Sequence, residues 1–231
     1  MYRYLFFDAD GTLFDFDQAE EKAFRLTSEH LDFSCEKTTN QCYKLCNERC
    51  WKEFEKGLIS LDRLKTKRFE DFFSEINLKQ DAAYASEVYQ KYLSMQGILY
   101  SESIPLLQEM KTRGYHLYLA SNGISQVQRG RLKHSNISNY FEEIFISEEL
   151  GVQKPDPRFF STMLSKTNLQ QKKQECLMIG DSLSSDIQGG NASGIDTIYL
   201  NRDNKQPQSS CKPTHEIANL TDLLDLLPPI H

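Results

Sequence analysis

No stretch of this sequence is apolar for long enough to cross a membrane, and its first residues lack the pattern of a signal peptide. The expected compartment is therefore the cytoplasm, with no membrane partner. A block of Lys and Arg is also missing. With a formal net charge of −6, binding to a nucleic-acid polymer is disfavoured, and a small anionic substrate would need local positive charge. Only six cysteines occur in 231 residues, and they are expected to be reduced. Cys42, Cys46 and Cys50 recur every four residues on one helical face. A metal site would want ligands from a second element as well, so these cysteines read as packing. The five histidines form no cluster, and neither an internal repeat nor a low-complexity tract is present.

Proline is absent from residues 17–97, where the pattern is helical throughout. Ala19, Ala23 and Leu26 share one helical spacing; Ala85, Val88, Tyr89 and Tyr92 share another. Gly57 and Asn77 are the expected breaks. After Gly97 the rhythm changes to alternating helix and strand. Strands are expected at 115–120, 144–146, 176–179 and 197–200. Pro105 and Pro157 suit first turns of helices, Gly114 suits a stop, and a last amphipathic helix is expected over 217–227. Residues 203–214 read as a loop. Alternation of this kind implies an α/β fold, a doubly wound, Rossmann-like parallel sheet. The expected division is a core of residues 1–16 and 98–231 and an all-helical cap of residues 17–97. Inserted at this place, the cap could fold over a site as a lid, hinged near Phe16 and Gly97.

The most informative segment is Tyr-Leu-Phe-Phe-Asp-Ala-Asp-Gly-Thr-Leu-Phe, residues 4–14. Its apolar run is a buried strand that Gly11 ends, so Asp8 and Asp10 stand at the carboxyl end of that strand, where open α/β sheets bind ligands. Two carboxylates this close require a divalent cation, a shared proton or a lysine to compensate them. Three later segments also follow expected strands. Ser121-Asn122-Gly123 offers hydrogen-bond donors for an anion, and Lys154-Pro155-Asp156-Pro157 supplies a cation beside a helix N-terminus. Gly180-Asp181-Ser182-Leu183-Ser184-Ser185-Asp186 adds two carboxylates. In a parallel sheet all four loops meet at one edge. Hard oxygen ligands of this kind suit Mg²⁺, which also binds phosphate.

These four segments, in this order, resemble the motifs of the haloacid dehalogenase-like hydrolase superfamily. The stretches Phe-Phe-Asp-Ala-Asp-Gly-Thr-Leu-Phe-Asp-Phe-Asp, Ser-Asn-Gly-Ile-Ser-Gln-Val-Gln and Ile-Ser-Glu-Glu-Leu-Gly-Val-Gln-Lys-Pro-Asp-Pro are most similar to its nucleoside 5′-monophosphatases of the pyrimidine-nucleotidase type. The resemblance implies that Asp8 is the nucleophile that becomes an aspartyl-phosphate, and that Asp10 is the general acid and then the general base. It implies a Mg²⁺ site from Asp8, the Asp10 carbonyl and Asp181, with Asp186 orienting metal-bound water. Ser121, Asn122 and Lys154 would bind the phosphoryl group. The expected substrate is a small phosphorylated metabolite, a nucleoside monophosphate before a sugar phosphate, and the expected assembly a monomer or homodimer. A phosphomutase shares this chemistry, a 2-haloacid dehalogenase lacks the second aspartate, and a non-catalytic phosphoryl-binding module would not need the full catalytic set. In the cap, Trp51, Lys52 and Arg68 are candidates for substrate contact, although Trp51 and Phe54 read better as packing between helices.

Overall fold

The computed structural model describes residues 1–204 and 211–230. Its elements run in chain order as β1 (Tyr4–Phe7), α1 (Phe16–Leu31), α2 (Lys37–Glu55), α3 (Leu61–Glu75), α4 (Ala82–Ser94), α5 (Ser103–Thr112) and β2 (His116–Ser121). There follow α6 (Ser125–Ser135), β3 (Glu143–Ile146), α7 (Ser147–Leu150), α8 (Pro157–Lys166), β4 (Cys176–Gly180), α9 (Gln188–Ser193), β5 (Asp196–Leu200), β6 (His215–Ile217) and α10 (Leu223–Leu226). The chain divides into two compact units. One comprises Met1–Asp15, Leu99–Ser125 and Ser135–His231; the other comprises Phe16–Ile98 and Gln126–His134. Among the described residues, no helix is long and apolar enough to cross a membrane.

The first unit is built on a six-stranded sheet in the order β3-β2-β1-β4-β5-β6, with every pair parallel. Strand β1 lies at the centre, and Leu5, Phe6 and Phe7 are fully buried. That is why its sequence is a continuous apolar run and not an alternation: helices cover both faces of a parallel sheet. Complete burial of such side chains contributes about 1.5–3 kcal/mol each. On one face, Phe6, Tyr118, Phe145 and Met178 pack with Phe159, Phe160 and Met163 of α8. The order reverses at β1, whose neighbours β2 and β4 leave in opposite directions. This is the switch point at which such sheets open a crevice beyond the strand ends.

Local signals set the element boundaries. Asp156 caps α8 by accepting from the Arg158 amide, with Pro157 opening the helix. Asn77 and Gly57 take left-handed conformations at helix ends, as does Gly114 just beyond α5. The expected helix over 217–227 is replaced by three short pieces. His215–Ile217 forms edge strand β6 on β5, and a 3₁₀ turn at Leu220–Asp222 leads into α10. Backbone pairing of Ile217 with Leu200 outweighs the helical spacing of its side chain. The expected loop over 203–214 lies partly outside the described residues.

In the second unit, α1 packs on α4 and α2 on α3. Phe24 stacks on Tyr43 with ring centroids 4.4 Å apart, and Phe69, Phe72 and Tyr89 complete an aromatic core. Cys46 and Cys50 are buried on this unit's α2, and all six cysteines are free thiols. A buried polar chain runs through the same interior. Glu20 accepts from Asn47 Nδ2 at 2.7 Å, and Asn47 Oδ1 accepts from Arg68 Nη1 at 3.3 Å. Burial pushes the Glu20 carboxyl up to about 7, against the pull of Lys44 and Asn47. The folded protein therefore binds this proton more tightly than the unfolded chain does. Stability present at low pH is lost as pH rises from the ordinary glutamate value through about 7, by about 3 kcal/mol. Glu20→Gln should flatten the decline in melting temperature between about pH 5 and 8. Equal slopes in the two proteins would rule this account out.

Candidate active site

Asp8 follows β1, and its amide continues the ladder by donating to the Ile179 carbonyl at 2.8 Å. Lys154 comes from the loop between α7 and α8, and its ammonium makes three short contacts. Nζ donates to Asp8 Oδ1 at 2.6 Å, to Asp186 Oδ1 at 2.6 Å and to the Ala120 carbonyl at 2.7 Å. Asn122 fixes the lysine's backbone: its Nδ2 donates to the Lys154 carbonyl and its Oδ1 accepts from the Lys154 amide, each at 2.8 Å. Ser121 is buried at the end of β2, where its Oγ accepts from the Gly123 amide at 3.0 Å.

The loop after β4 brings the other two carboxylates. Ser182 accepts from the Ser185 amide and opens a π-helical turn, Leu183–Ile187, which carries Asp186 inward. Asp186 is fully buried, with Oδ1 on Lys154 and Oδ2 accepting from the Ser182 amide at 3.1 Å. Asp181 faces solvent, and Thr12 reaches its Oδ1 at 3.5 Å. One oxygen each from Asp8, Asp181 and Asp186 lies within 4.8 Å of the others. Two glycines make room for this trio. A Cβ at Gly11 would collide with the Asp181 carboxylate, and one at Gly180 would collide with that of Asp186. Gly11 also holds φ +79°, a conformation costly for any side-chain-bearing residue.

Charge in this cluster is unbalanced: three carboxylates face one ammonium. Burial pushes the Asp8 carboxyl well above the ordinary range; Lys154 opposes this, and Asp186 and Asp181 add to it. Burial pulls on Lys154 in the other direction, but Asp186 and Asp8 outweigh it and hold the ammonium charged. Asp181 is accessible on one side yet crowded by protein on the others. That crowding and Asp186 push it up to about 7. Three hard oxygen donors with surplus negative charge, one of them open to solvent, fit a small divalent cation.

The expected positions Asp8, Asn122, Lys154, Asp181 and Asp186 thus lie in four loops at one sheet edge with Ser121 at the end of β2, and Asp10 lies two residues beyond Asp8, paired through its backbone with Phe14. The cap candidates do not share one surrounding. Arg68, expected to reach substrate, is an interior residue, 1% exposed, over the Tyr89 ring at 4.7 Å. Trp51 meets Phe54 edge-on and packs on a small cluster with Cys50 and Leu64. Lys52 is exposed and paired with Glu48 at 2.6 Å. Sequence reasoning missed the Ala120 carbonyl on Lys154, which no side-chain pattern could reveal. Thr12, beside Asp181, stood within the quoted Asp-Gly-Thr segment without a role.

Known proteins share this architecture. The family model for haloacid dehalogenase-like hydrolases matches residues 5–200. Pyrimidine 5′-nucleotidase PynA of Streptococcus pneumoniae is 39% identical over 226 residues, covering 98% of this chain and 95% of that protein. Pyrimidine 5′-nucleotidase YjjG of Escherichia coli is 30% identical over 229 residues, covering 97% of each. The crystal structure of Bacillus subtilis YfnB bound to magnesium matches with a TM-score of 0.92 and 33% identity over 98% of each chain. Motifs, sheet order, acidic edge and family match converge: the chain belongs to the haloacid dehalogenase-like hydrolases.

Proposed function

We propose that this protein is a Mg²⁺-dependent phosphomonoester hydrolase that acts on nucleoside 5′-monophosphates through an aspartyl-phosphate on Asp8. The observation that carries the reading is the buried Asp8–Lys154–Asp186 contact beside Asp181 at the switch point of the sheet. Asp8, the Asp10 carbonyl and Asp181 would hold the cation. Asp186, the third donor of the trio, holds Lys154 and the loop through the hydrogen bonds its two oxygens accept and keeps lone pairs for the same site. When bound, the cation would supply positive charge that neutralises the phosphoryl oxygens and favours the ionised form of Asp8.

The protein's own residues divide the reaction into two displacements. Asp8 attacks phosphorus and the bond to the ester oxygen breaks, while Asp10 gives its proton to the departing alkoxide. Water then attacks the aspartyl-phosphate, Asp10 takes a proton from it, and phosphate leaves with Asp8 regenerated. Lys154 remains charged throughout and, with Ser121, offsets charge on the transferring group. The names of PynA and YjjG favour a pyrimidine nucleotide as the substrate.

Phosphate release from a panel of pyrimidine and purine nucleoside monophosphates and small sugar phosphates, with Mg²⁺ and with a chelator, tests this reading. Chelator-sensitive release that favours pyrimidine nucleotides is expected. Release that persists fully in chelator would remove the metal from the reading. Equal or better cleavage of sugar phosphates would remove the nucleotide.

A further inference from the structure

The loop that carries Asp10 is held from outside by residues that no motif contains. The carbonyls of Gly11, Thr12 and Leu13 are taken up one after another. Arg202, in the loop after β5, donates from Nη2 to the Thr12 carbonyl at 3.1 Å and from Nε to the Gly11 carbonyl at 3.4 Å. The Leu13 carbonyl accepts from the Tyr100 amide at 3.1 Å and from Ser103 Oγ at 2.7 Å. The guanidinium is itself fixed on two further sides. Its carbon sits 3.8 Å from the centroid of the Tyr100 ring, and its Nη1 donates to Glu102 Oε1 at 2.7 Å. Arg202, Tyr100, Glu102 and Ser103 thus form one cradle under a turn whose left-handed Gly11 offers little rigidity of its own.

We infer that Arg202 is a positioning residue: it fixes the backbone at Gly11 and Thr12, beyond the Asp10 carbonyl, so that the Asp10 carboxyl delivers its proton to the leaving oxygen. The inference rests on the phosphatase reading above, with Asp10 as the acid. A planar guanidinium suits the task better than an ammonium, since several of its donors act at once in fixed directions. Arg202 acts on the backbone, at the carbonyls of Gly11 and Thr12. Its effect passes through the Gly11–Thr12 peptide to the aspartate one residue earlier.

The consequence depends on the leaving group. A general acid contributes about 10²–10⁴-fold where the departing oxygen needs a proton, and little where it leaves as a stable anion. Benzyl phosphate, an alkyl ester, and p-nitrophenyl phosphate, an aryl ester, form such a pair of probes. In Arg202→Met, kcat/KM should fall about 10–100-fold on benzyl phosphate and less than about threefold on p-nitrophenyl phosphate. Arg202→Lys should show the same selective loss at a smaller size. Glu102→Gln, which loosens the guanidinium without removing it, should do likewise, and it carries the test if the Arg202 variants melt below assay temperature. An equal loss on both esters, or none on either, overturns the positioning role and leaves the phosphatase reading standing. A wild-type protein inactive on both esters overturns the two together.

Discussion

Asp8→Asn should reduce phosphate release from p-nitrophenyl phosphate to background while the protein remains folded. The amide keeps an oxygen that can accept from Lys154, so the contact that spans 146 residues of sequence survives. What disappears is the charged carboxylate oxygen that attacks phosphorus. The loss is expected to be nearly total because the reaction has so little background of its own: enzymes accelerate phosphate-monoester hydrolysis by up to ~10²¹. Folding should not suffer. Burial and two neighbouring carboxylates already oppose the charge on Asp8, and the neutral side chain relieves that repulsion. The melting temperature should therefore stay level or rise. Turnover near the wild-type rate in a protein with an authentic fold would sink the nucleophile assignment.

Lys154→Met should lose both stability and activity. The lysine is 1% exposed and ends between two buried carboxylates. Removing one partner of a buried ion pair costs about 3–5 kcal/mol, chiefly because the remaining charge is stranded. Here two charges are stranded, and they face each other. Turnover should fall about 10²–10³-fold further than unfolding explains, the usual loss for one preorganised group that meets developing charge. Adding Asp186→Asn separates the two effects. The double variant should recover much of the melting temperature, since one stranded charge is gone, and none of the turnover. A single variant that melts normally and hydrolyses normally would show that Lys154 is neither a structural nor a catalytic cation.

Much of the core fold was legible because its signals are local. An apolar run with carboxylates at its end marks a buried central strand, whatever surrounds it. The four loops could be placed on one edge because parallel strands all end there. Residues whose environment is set by distant contacts were not legible. Ile217 has the spacing of a helix and the partners of a strand; only its pairing with Leu200 decides, and β6 is three residues long. Arg68 looks like a surface cation in sequence, yet Asn47 and the Tyr89 ring take it into the interior. Residues 126–134 read as part of the core because they follow β2, but their contacts group them with the helical unit. Arg202 lies in a polar stretch with no pattern, and its partners are about 100 and 190 residues away.

Gly11 and Gly180 give the acidic edge an unusual kind of dependence. The volume that a methyl group would fill at each position is occupied by a carboxylate of another residue. The geometry of Asp181 and Asp186 is thus set partly by atoms the chain does not have. Even alanine, the smallest replacement open to either glycine, intrudes on an acidic group and so acts at a distance along the chain on chemistry it cannot itself perform. Substitution at this edge is closed where it looks most permissive, at the two residues with no side chain to lose.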